Sequence, residues 1–332
     1  MTSSKPPDEK LLTARRGFIP VALFASAIGL SALSTGWHLA EDVLRAPVWP
    51  SIGIGAAAIV AFICLCSAYI AKVIIVPEKT LAEFRDPIAG NLFGTIFISM
   101  LLIPKVLARF HTVLALCIWA VGTVGIFIFN WMMVRRWLGS RQVAAELTPA
   151  WFVPPLGLLN VPLATPYLGI SSSWINASAL AIGSFLCLLL FAIVLGRLIF
   201  VTAMTNALSP MLLILAGPTS LAVSSYFVVT NSAAPDLFAE SLFAISIFLL
   251  AVLAPRVAHL GLACPFRVAW WAVSLPLAAV ANAALRIASA DRGTPSLLLA
   301  SVLLGMATVV TAILLTRTVL GILRGELRDL SS

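Results

Sequence analysis

The chain has 332 residues, of which 61% are hydrophobic and only 10% are charged, and its mean hydropathy is +1.06. A soluble core cannot bury this much apolar surface, so the composition excludes a soluble protein and indicates an integral membrane protein. The formal net charge of +8 would suit a nucleic-acid-binding protein, but the sequence offers no soluble basic element to bind one. We therefore expect the lipid bilayer as a partner, and not nucleic acid.

Ten apolar stretches are long enough to cross about 30 Å of hydrocarbon as helices. They lie at 17–40, 48–75, 87–107, 110–134, 149–170, 176–200, 209–230, 236–255, 266–288 and 295–322. The sequence therefore predicts an all-α integral membrane protein with one ten-helix domain at 17–323 and polar tails at 1–16 and 324–332. Asp8 and Glu9, together with the length of the first apolar run, argue against a cleaved secretory signal.

A short polar or basic segment, which we call a mark, precedes each odd-numbered apolar stretch. In three cases the mark is a short polar residue before proline, at Asp86-Pro87, Thr148-Pro149 and Ser209-Pro210. Such a residue can cap a helix N-terminus, and proline at the first helical position loses no hydrogen bond. Arg15-Arg16-Gly17 and Cys264-Pro265 mark the first and ninth stretches. The spacing of about sixty residues fits one membrane hairpin. We predict five tandem hairpins, in which the five odd-numbered helices run parallel.

The positions of the basic residues predict the orientation of the chain. With a cytoplasmic N-terminus, sixteen of the 21 Lys and Arg residues fall on the cytoplasmic side. The other five are Arg45, Lys105, Arg109, Arg286 and Arg292. This asymmetry favours cytoplasmic positions for both termini, in the inner (plasma) membrane.

Residues that bind metals or carry out catalysis show no functional pattern. Cys64 and Cys66 point in different directions on a helix, and the other cysteines and the histidines are scattered through the apolar stretches or at their ends. The sequence contains no nucleophile–base pair and no Gly-rich phosphate loop. We therefore expect no metal, no cofactor and no enzyme activity.

The odd-numbered helices carry the features of a transport pathway. Pro154, Pro218 and Pro276 lie within their apolar runs, where a proline frees a carbonyl group and bends the helix. Recurrence on three odd helices favours a central five-helix pore over simple packing kinks. Small polar residues on these helices could line the pore, although any one of them could equally serve helix packing. The predicted pore-lining residues are Ser26, Ser99, Asn160, Ser220, Ser274 and Asn282.

Two charged residues fall within the membrane half opposite the termini. Glu240 lies early in the eighth helix and Arg286 lies late in the ninth. Membrane charges are usually neutralised by a partner, so we favour an ion pair between them over a substrate or proton site.

Three strings resemble the tellurite-resistance/dicarboxylate transporter family. They are Trp271-Ala272-Val273-Ser274-Leu275-Pro276-Leu277-Ala278, Gly217-Pro218 followed by Ser224-Ser225-Tyr226, and Thr148-Pro149-Ala150-Trp151-Phe152-Val153-Pro154. This family contains TehA-type bacterial proteins, plant slow anion channels, and fungal malate and sulfite transporters. The resemblance implies a homotrimer in which each protomer encloses a pore made by its odd helices. It also implies passage of anions such as chloride, nitrate, sulfite or four-carbon dicarboxylates.

The chain departs from the family at two positions. Where the ninth helix of the family carries a phenylalanine that plugs the pore, this chain has Leu275, and a mid-helix proline of the third helix corresponds to Gly94. The resemblance therefore implies a gate at Leu275, with Phe97 or Phe24 as substitutes from neighbouring helices.

These observations predict an anion channel or facilitative anion transporter. One alternative is a proton-coupled dicarboxylate or sulfite exporter, which needs a titratable group in the pathway; Glu240 would supply it. Another is a tellurite-resistance protein without selective transport of its own.

Overall fold

The computed structural model describes residues 19–139, 141–171, 173–201, 204–205, 208–232, 234–263 and 266–324. All regular secondary structure in these ranges is helical. Nine helices within them are long and apolar enough to cross a membrane. The chain is therefore a multi-pass membrane protein, as its composition predicted.

We number the helices in chain order. The first part of the chain contains α1 (Val21–Val43), α2 (Trp49–Ile75), the short polar α3 (Pro77–Arg85), α4 (Ala89–Leu107), α5 (Thr112–Gly139) and α6 (149–168). The second part contains α7 (Ser173–Phe200), α8 (Ser209–Thr230), α9 (Leu237–Ala263), α10 (Val268–Asp291) and α11 (Thr294–Leu323). Most helix ends fall within a few residues of their predicted positions, although α9 continues well beyond residue 255.

Besides the short polar α3, α6 is the numbered helix that is not among the nine. It consists of the 3₁₀ turns Pro149–Phe152 and Pro162–Leu168 on either side of the α-helix Val153–Asn160. The segment is helical where the fifth apolar stretch was expected, but it is broken twice. The count of ten spans and their arrangement as five hairpins stay predictions.

The helices form an inner and an outer set. About two thirds or more of the apolar window in α1, α4, α8 and α10 is buried, and nearly all of α6 is buried as well. One third or less is buried in α2, α5, α7, α9 and α11. These outer helices expose large apolar side chains, such as Ile74, Phe185 and Phe248. The inner set corresponds to the predicted odd helices, and the outer set presents an apolar surface suited to lipid.

The inner helices begin in a tighter form than the sequence predicts. Four of them start with 3₁₀ turns, at Val21–Leu23, Pro149–Phe152, Ser209–Ala216 and Val268–Val273. The α-helical parts begin only afterwards. Pro154, Pro218 and Pro276 lie in the first turn of those α-helical parts, where a proline removes few hydrogen bonds. The predicted proline kinks are thus junctions between 3₁₀ and α geometry.

Only one of the three predicted N-caps forms. The Asp86 carboxylate accepts the backbone N–H groups of Ile88 (2.9 Å) and Ala89 (2.7 Å) at the start of α4. The Thr148 hydroxyl is buried and has no hydrogen-bond partner within the described ranges, and the Ser209 hydroxyl donates to the carbonyl of Thr205 (3.1 Å). Thr148 directly precedes a 3₁₀ turn and Ser209 begins one, and the cap geometry of an α-helix does not apply there. The marks at 15–17 and 264–265 lie outside the described residues.

Candidate functional site

A cavity of about 50 Å³, which we name the central cavity, lies between the first halves of the inner helices. Its lining is almost entirely apolar. The hydroxyl of Thr95 donates to the carbonyl of Leu92 (2.6 Å), and the indole N–H of Trp271 donates to the hydroxyl of Thr318 (2.8 Å). All five inner helices contribute to the lining. It consists of Ala22, Ala25, Ile28, Leu92, Thr95, Ile98, Val153, Leu156, Met211, Ile214, Val268, Ala269, Trp271, Ala272, Leu275 and Pro276.

The lining residues recur mostly at every third position. Ala22, Ala25 and Ile28 line the cavity from α1, and the same spacing occurs on the other inner helices. A 3₁₀ helix has three residues per turn, so residues three apart point in the same direction. This account fits Met211 and Ile214 of α8 and Trp271 of α10, which lie in 3₁₀ turns, whereas the lining residues of α1, α4 and α6 lie mostly in α-helix, where positions three apart also share a face. This periodicity is the sequence signal that could have identified the lining.

An apolar cluster lies at the end of the central cavity. Leu275 packs against Ile28, Ile98, Leu102 and Val153, which are all buried. These five residues come from α1, α4, α6 and α10, and we name them the apolar constriction. Four of the five also line the central cavity. The central cavity is therefore bounded by apolar side chains at this level.

The opposite end of the central cavity continues into a larger space of about 290 Å³, the lower cavity. Ala22, Leu92, Met211, Val268 and Ala269 line both spaces. The lower cavity therefore lies where α1, α4, α8 and α10 begin, so these four helices run in the same direction. Its polar lining comes from Glu83, Asp86 and Arg267.

Glu83 holds the start of α1 through several hydrogen bonds. Its carboxylate accepts the backbone N–H of Val21 (2.8 Å), the hydroxyl of Tyr69 (3.1 Å) and the ammonium group of Lys72 (2.6 Å). Lys72 also donates to the carbonyl of Ile19 (2.8 Å). We name Tyr69, Lys72 and Glu83 the α1 anchor. The anchor fixes the wall of the lower cavity to α2 and α3.

A third cavity, of about 10 Å³, lies near the far ends of α1, α4 and α6; we name it the upper cavity. Its lining is polar and basic, unlike that of the central cavity. It consists of Ser34, Thr35, His38, Ser51, Ile52, Lys105, Val106, Arg109, Phe110 and Tyr167.

The carboxylate of Glu41 interacts with the basic groups at the rim of the upper cavity. Glu41 lies 3.1 Å from His38 Nδ1 and 3.7 Å from Arg109 Nη2, and it accepts the hydroxyl of Ser51. Arg109 also contacts the His38 ring nitrogen. Glu41 is thus engaged by three neighbours.

The predicted pore-lining residues lie elsewhere. Hydroxyls of Ser26, Ser99, Ser220 and Ser274 donate to carbonyls three or four residues earlier. The amides of Asn160 and Asn282 donate to the carbonyls of Leu156 (2.8 Å) and Ala32 (3.1 Å). None of the six residues lines any of the three cavities described above. The Asn282 amide joins α10 to α1, and the buried amide oxygens of Asn160 and Asn282 have no hydrogen-bond partner among the described residues. Pore lining by these six residues stays a prediction.

The two aromatic substitutes for the gate face away from the central cavity. Phe97 packs against Phe129 of α5, with its ring 5.8 Å from that ring, and covers Gly125. Phe24 packs edge-on against Phe62 and Tyr69 of α2. Both rings pack between an inner helix and an outer helix. We therefore do not include Phe97 and Phe24 in the proposed gate.

Gly94 lies at a junction of three helices. A Cβ atom at this position would lie 3.0 Å from the side chain of Val153 and 3.1 Å from that of Phe129. The α-helix of α4 is interrupted just before it, at Phe93. Gly94 therefore combines a break in α4 with close packing against α5 and α6.

The expected ion pair between Glu240 and Arg286 does not form among the described residues. Glu240 is exposed at the start of α9. Arg286 instead lies close enough to Lys105 and Tyr167 to interact with them electrostatically. The two residues lie on adjacent helices but face different neighbours, which the sequence order could not reveal.

The arrangement defines a class of protein: a multi-pass membrane protein whose inner helices enclose two adjoining cavities beside an apolar constriction. Residues 19–319 match the SLAC1 family, described as voltage-dependent anion channel. The chain belongs to this family. The family consists of channels and transporters, which agrees with the absence of catalytic motifs noted in the sequence.

Relatives from three kinds of organism are similar to the chain. It is 24% identical to an uncharacterized transporter of Methanocaldococcus jannaschii over 66% of this chain and 70% of the relative. It is 23% identical to the tellurite resistance protein TehA homolog of Haemophilus influenzae, over 80% of each chain. It is 24% identical to the S-type anion channel SLAH3 of Arabidopsis thaliana, over 91% of this chain and 48% of the plant protein. These similarities support a general role in anion transport.

Proposed function

We propose that the chain is a passive channel for small anions and that the lower and central cavities form part of its pathway. The observation that carries the proposal is the continuity of these two cavities, which share five lining residues and end at Leu275. The family match supports anions as the cargo. The apolar lining offers no tight binding site, which favours throughput over affinity.

The proposed gate is the apolar constriction, with Leu275 as its movable part. Leu275 is only partly buried, whereas the other four residues of the constriction are buried. A narrow apolar ring blocks ions mainly because water withdraws from it. We infer that the structure represents a closed, dewetted passage.

The proposal includes an orientation and an assembly. Both termini lie in the cytoplasm of a cell with the chain in its inner (plasma) membrane, because the basic residues follow that asymmetry. The tails at 1–16 and 324–332 are then cytoplasmic, and the lower cavity opens to the cytoplasm. A homotrimer is proposed from the family resemblance.

The proton-coupled alternative loses its support, because Glu240 lines none of the three cavities. Tellurite resistance would follow from anion permeability, since no separate feature of the described chain points to it.

The test is the current through purified protein in planar bilayers under a chloride gradient. We expect a reversal potential near that of chloride, and a several-fold higher conductance for Leu275→Ala. Leu275→Asn keeps the branching of leucine at Cγ and extends farther than alanine, but its amide group attracts water. If dewetting closes the passage, Leu275→Asn conducts nearly as well as Leu275→Ala.

Leu298→Ala is the matched control, because Leu298 is 64% exposed on the outer helix α11 and should leave the current unchanged. Equal currents from wild type and both Leu275 variants would contradict the proposed gate. A wild-type protein that carries no anion current under any of these conditions would contradict the channel itself.

A further inference from the structure

Two basic side chains beside the upper cavity have no counter-charge in the part of the chain that the structure describes. Lys105 is 5% exposed and makes no hydrogen bond or ion pair there through its ammonium group. The Nε of Arg286 is buried and likewise has no hydrogen-bond partner. The two cations interact with each other electrostatically, and like charges at close range repel.

Neighbouring carboxylates do not compensate for them. Glu41 is already shared among His38, Ser51 and Arg109. Asp42, the next carboxylate, is exposed. An unpaired charge within a membrane protein is costly, and such charges normally pair or mark an ion pathway. The upper end of the passage therefore carries more positive charge than its own acidic groups neutralise.

The shape of the site restricts what could neutralise it. The upper cavity, which Lys105 lines, has a volume of only about 10 Å³. This space suits one water-sized species and excludes a four-carbon dicarboxylate. Tyr167 and Lys105 line the same cavity, so a hydroxyl group is available there as an additional donor.

We propose that Lys105 and Arg286, with Tyr167, form a binding site for one small monovalent anion such as chloride or bromide. This inference deepens the proposed function, because the site would hold the transported anion beyond the apolar constriction. In the proposed orientation it faces the outside of the cell. The central cavity has no such charges, so the site and the gate are separate parts of the pathway.

The direct test is anomalous diffraction from crystals of the full chain grown or soaked in bromide. We expect a bromide peak between the Lys105 ammonium and the Arg286 guanidinium group in the wild type. The peak should vanish in Lys105→Met and persist in Lys105→Arg. It should also persist in Lys79→Met, in which the exposed lysine of α3 is changed in the same way.

A functional measurement tests the same site independently. With chloride varied on the upper side only, the half-saturating concentration for current should rise about tenfold in Lys105→Met, as expected when a charge-assisted hydrogen bond is lost. Arg286→Gln should behave similarly. Arg317→Gln, which removes an exposed arginine of α11, should match the wild type.

The outcomes separate the two proposals. A bromide peak in a wild-type protein that does not conduct would support the site and contradict the channel. Conduction by the wild type, with no bromide peak and with unchanged saturation in Lys105→Met, would overturn the site and leave the channel standing. Thermal unfolding of each variant, together with the charge-preserving Lys105→Arg, shows whether a lost peak reflects loss of folding.

Discussion

At the scale of single residues, Glu83 illustrates how one carboxylate positions a helix that carries no charge of its own near that end. It accepts hydrogen bonds from the backbone of α1 and from side chains of α2. Lys72 is only 4% exposed. Removing one partner of such a pair leaves the other charge buried and uncompensated.

We predict that Glu83→Gln lowers the free energy of unfolding by about 3 kcal/mol, at the low end for a buried pair because Glu83 is partly exposed. The measurement is thermal unfolding in detergent. Glu78→Gln, on the exposed surface of the same helix, is the control and should have little effect. Equal unfolding temperatures for the two variants would show that the α1 anchor does not stabilise the fold.

Individual residues also show how much of the candidate site could be predicted from the sequence. Leu275 was identified because a short motif placed it, and the structure puts it in the central cavity. Ser26 and Ser274 were expected to line a passage, but their hydroxyls donate to nearby carbonyls. A serine in a helix has both options, and the sequence alone does not indicate which one the fold selects.

At the scale of helices, the close contact between α1 and α10 determines the shape of the passage. Gly29 of α1 faces Ser274 of α10, and a Cβ atom built on Gly29 would lie 2.5 Å from the Cβ of Ser274. No real Cβ contact is this short, so a methyl group at this position would force the helices apart. The contact lies one residue from Ile28 and one from Leu275, both in the apolar constriction.

We predict that Gly29→Ala destabilises the protein by about 2 kcal/mol through overpacking. Adding Ser274→Gly should restore most of the loss, because it removes the atoms that the methyl group meets. Thermal unfolding of the two single variants and the double variant measures this coupling. Additive losses in the double variant would contradict the direct contact.

Gly53→Ala provides the matched control for this pair. A Cβ atom at Gly53 on α2 would have no neighbour within 4 Å. This substitution should leave stability unchanged or raise it slightly, because alanine is favoured over glycine in a helix interior.

The helices were predictable to different degrees. Long apolar runs located the nine spans, since twenty or so apolar residues have few other stable arrangements in a bilayer. The 3₁₀ starts were not predicted, because 3₁₀ and α-helices share the same apolar residues and the same prolines. The difference matters for the site, since the 3₁₀ turns of α8 and α10 place Met211, Ile214 and Trp271 on the central cavity.

At the scale of the whole molecule, the proposed orientation assigns each cavity to one side of the membrane. The lower cavity lies where the inner helices begin, and the upper cavity lies where several of them end. In the topology predicted from the sequence, sixteen of the 21 basic residues fall on the side at which the inner helices begin. This distribution favours a cytoplasmic lower cavity.

We predict that alkaline phosphatase fused after Gly293, between α10 and α11, is active, and that a fusion after Ser332 is inactive. The enzyme folds only outside the reducing cytoplasm, since it depends on disulfide bonds. Fluorescent-protein fusions at the same two positions should give the opposite pattern. An active phosphatase at the C-terminus would reverse the orientation and would place the lower cavity outside the cell.

The unequal sizes of the cavities have an electrical consequence. A lower cavity of about 290 Å³ can hold several water molecules, whereas the constriction around Leu275 consists of a few apolar side chains, which we propose exclude water. A membrane voltage falls mainly across the part of the path that conducts least. An anion crossing this thin layer would thus experience most of the potential in one step, worth about 2.3 kcal/mol per 100 mV. The proposed channel would therefore respond to voltage through the field on the permeating ion itself, without a charged helix that moves.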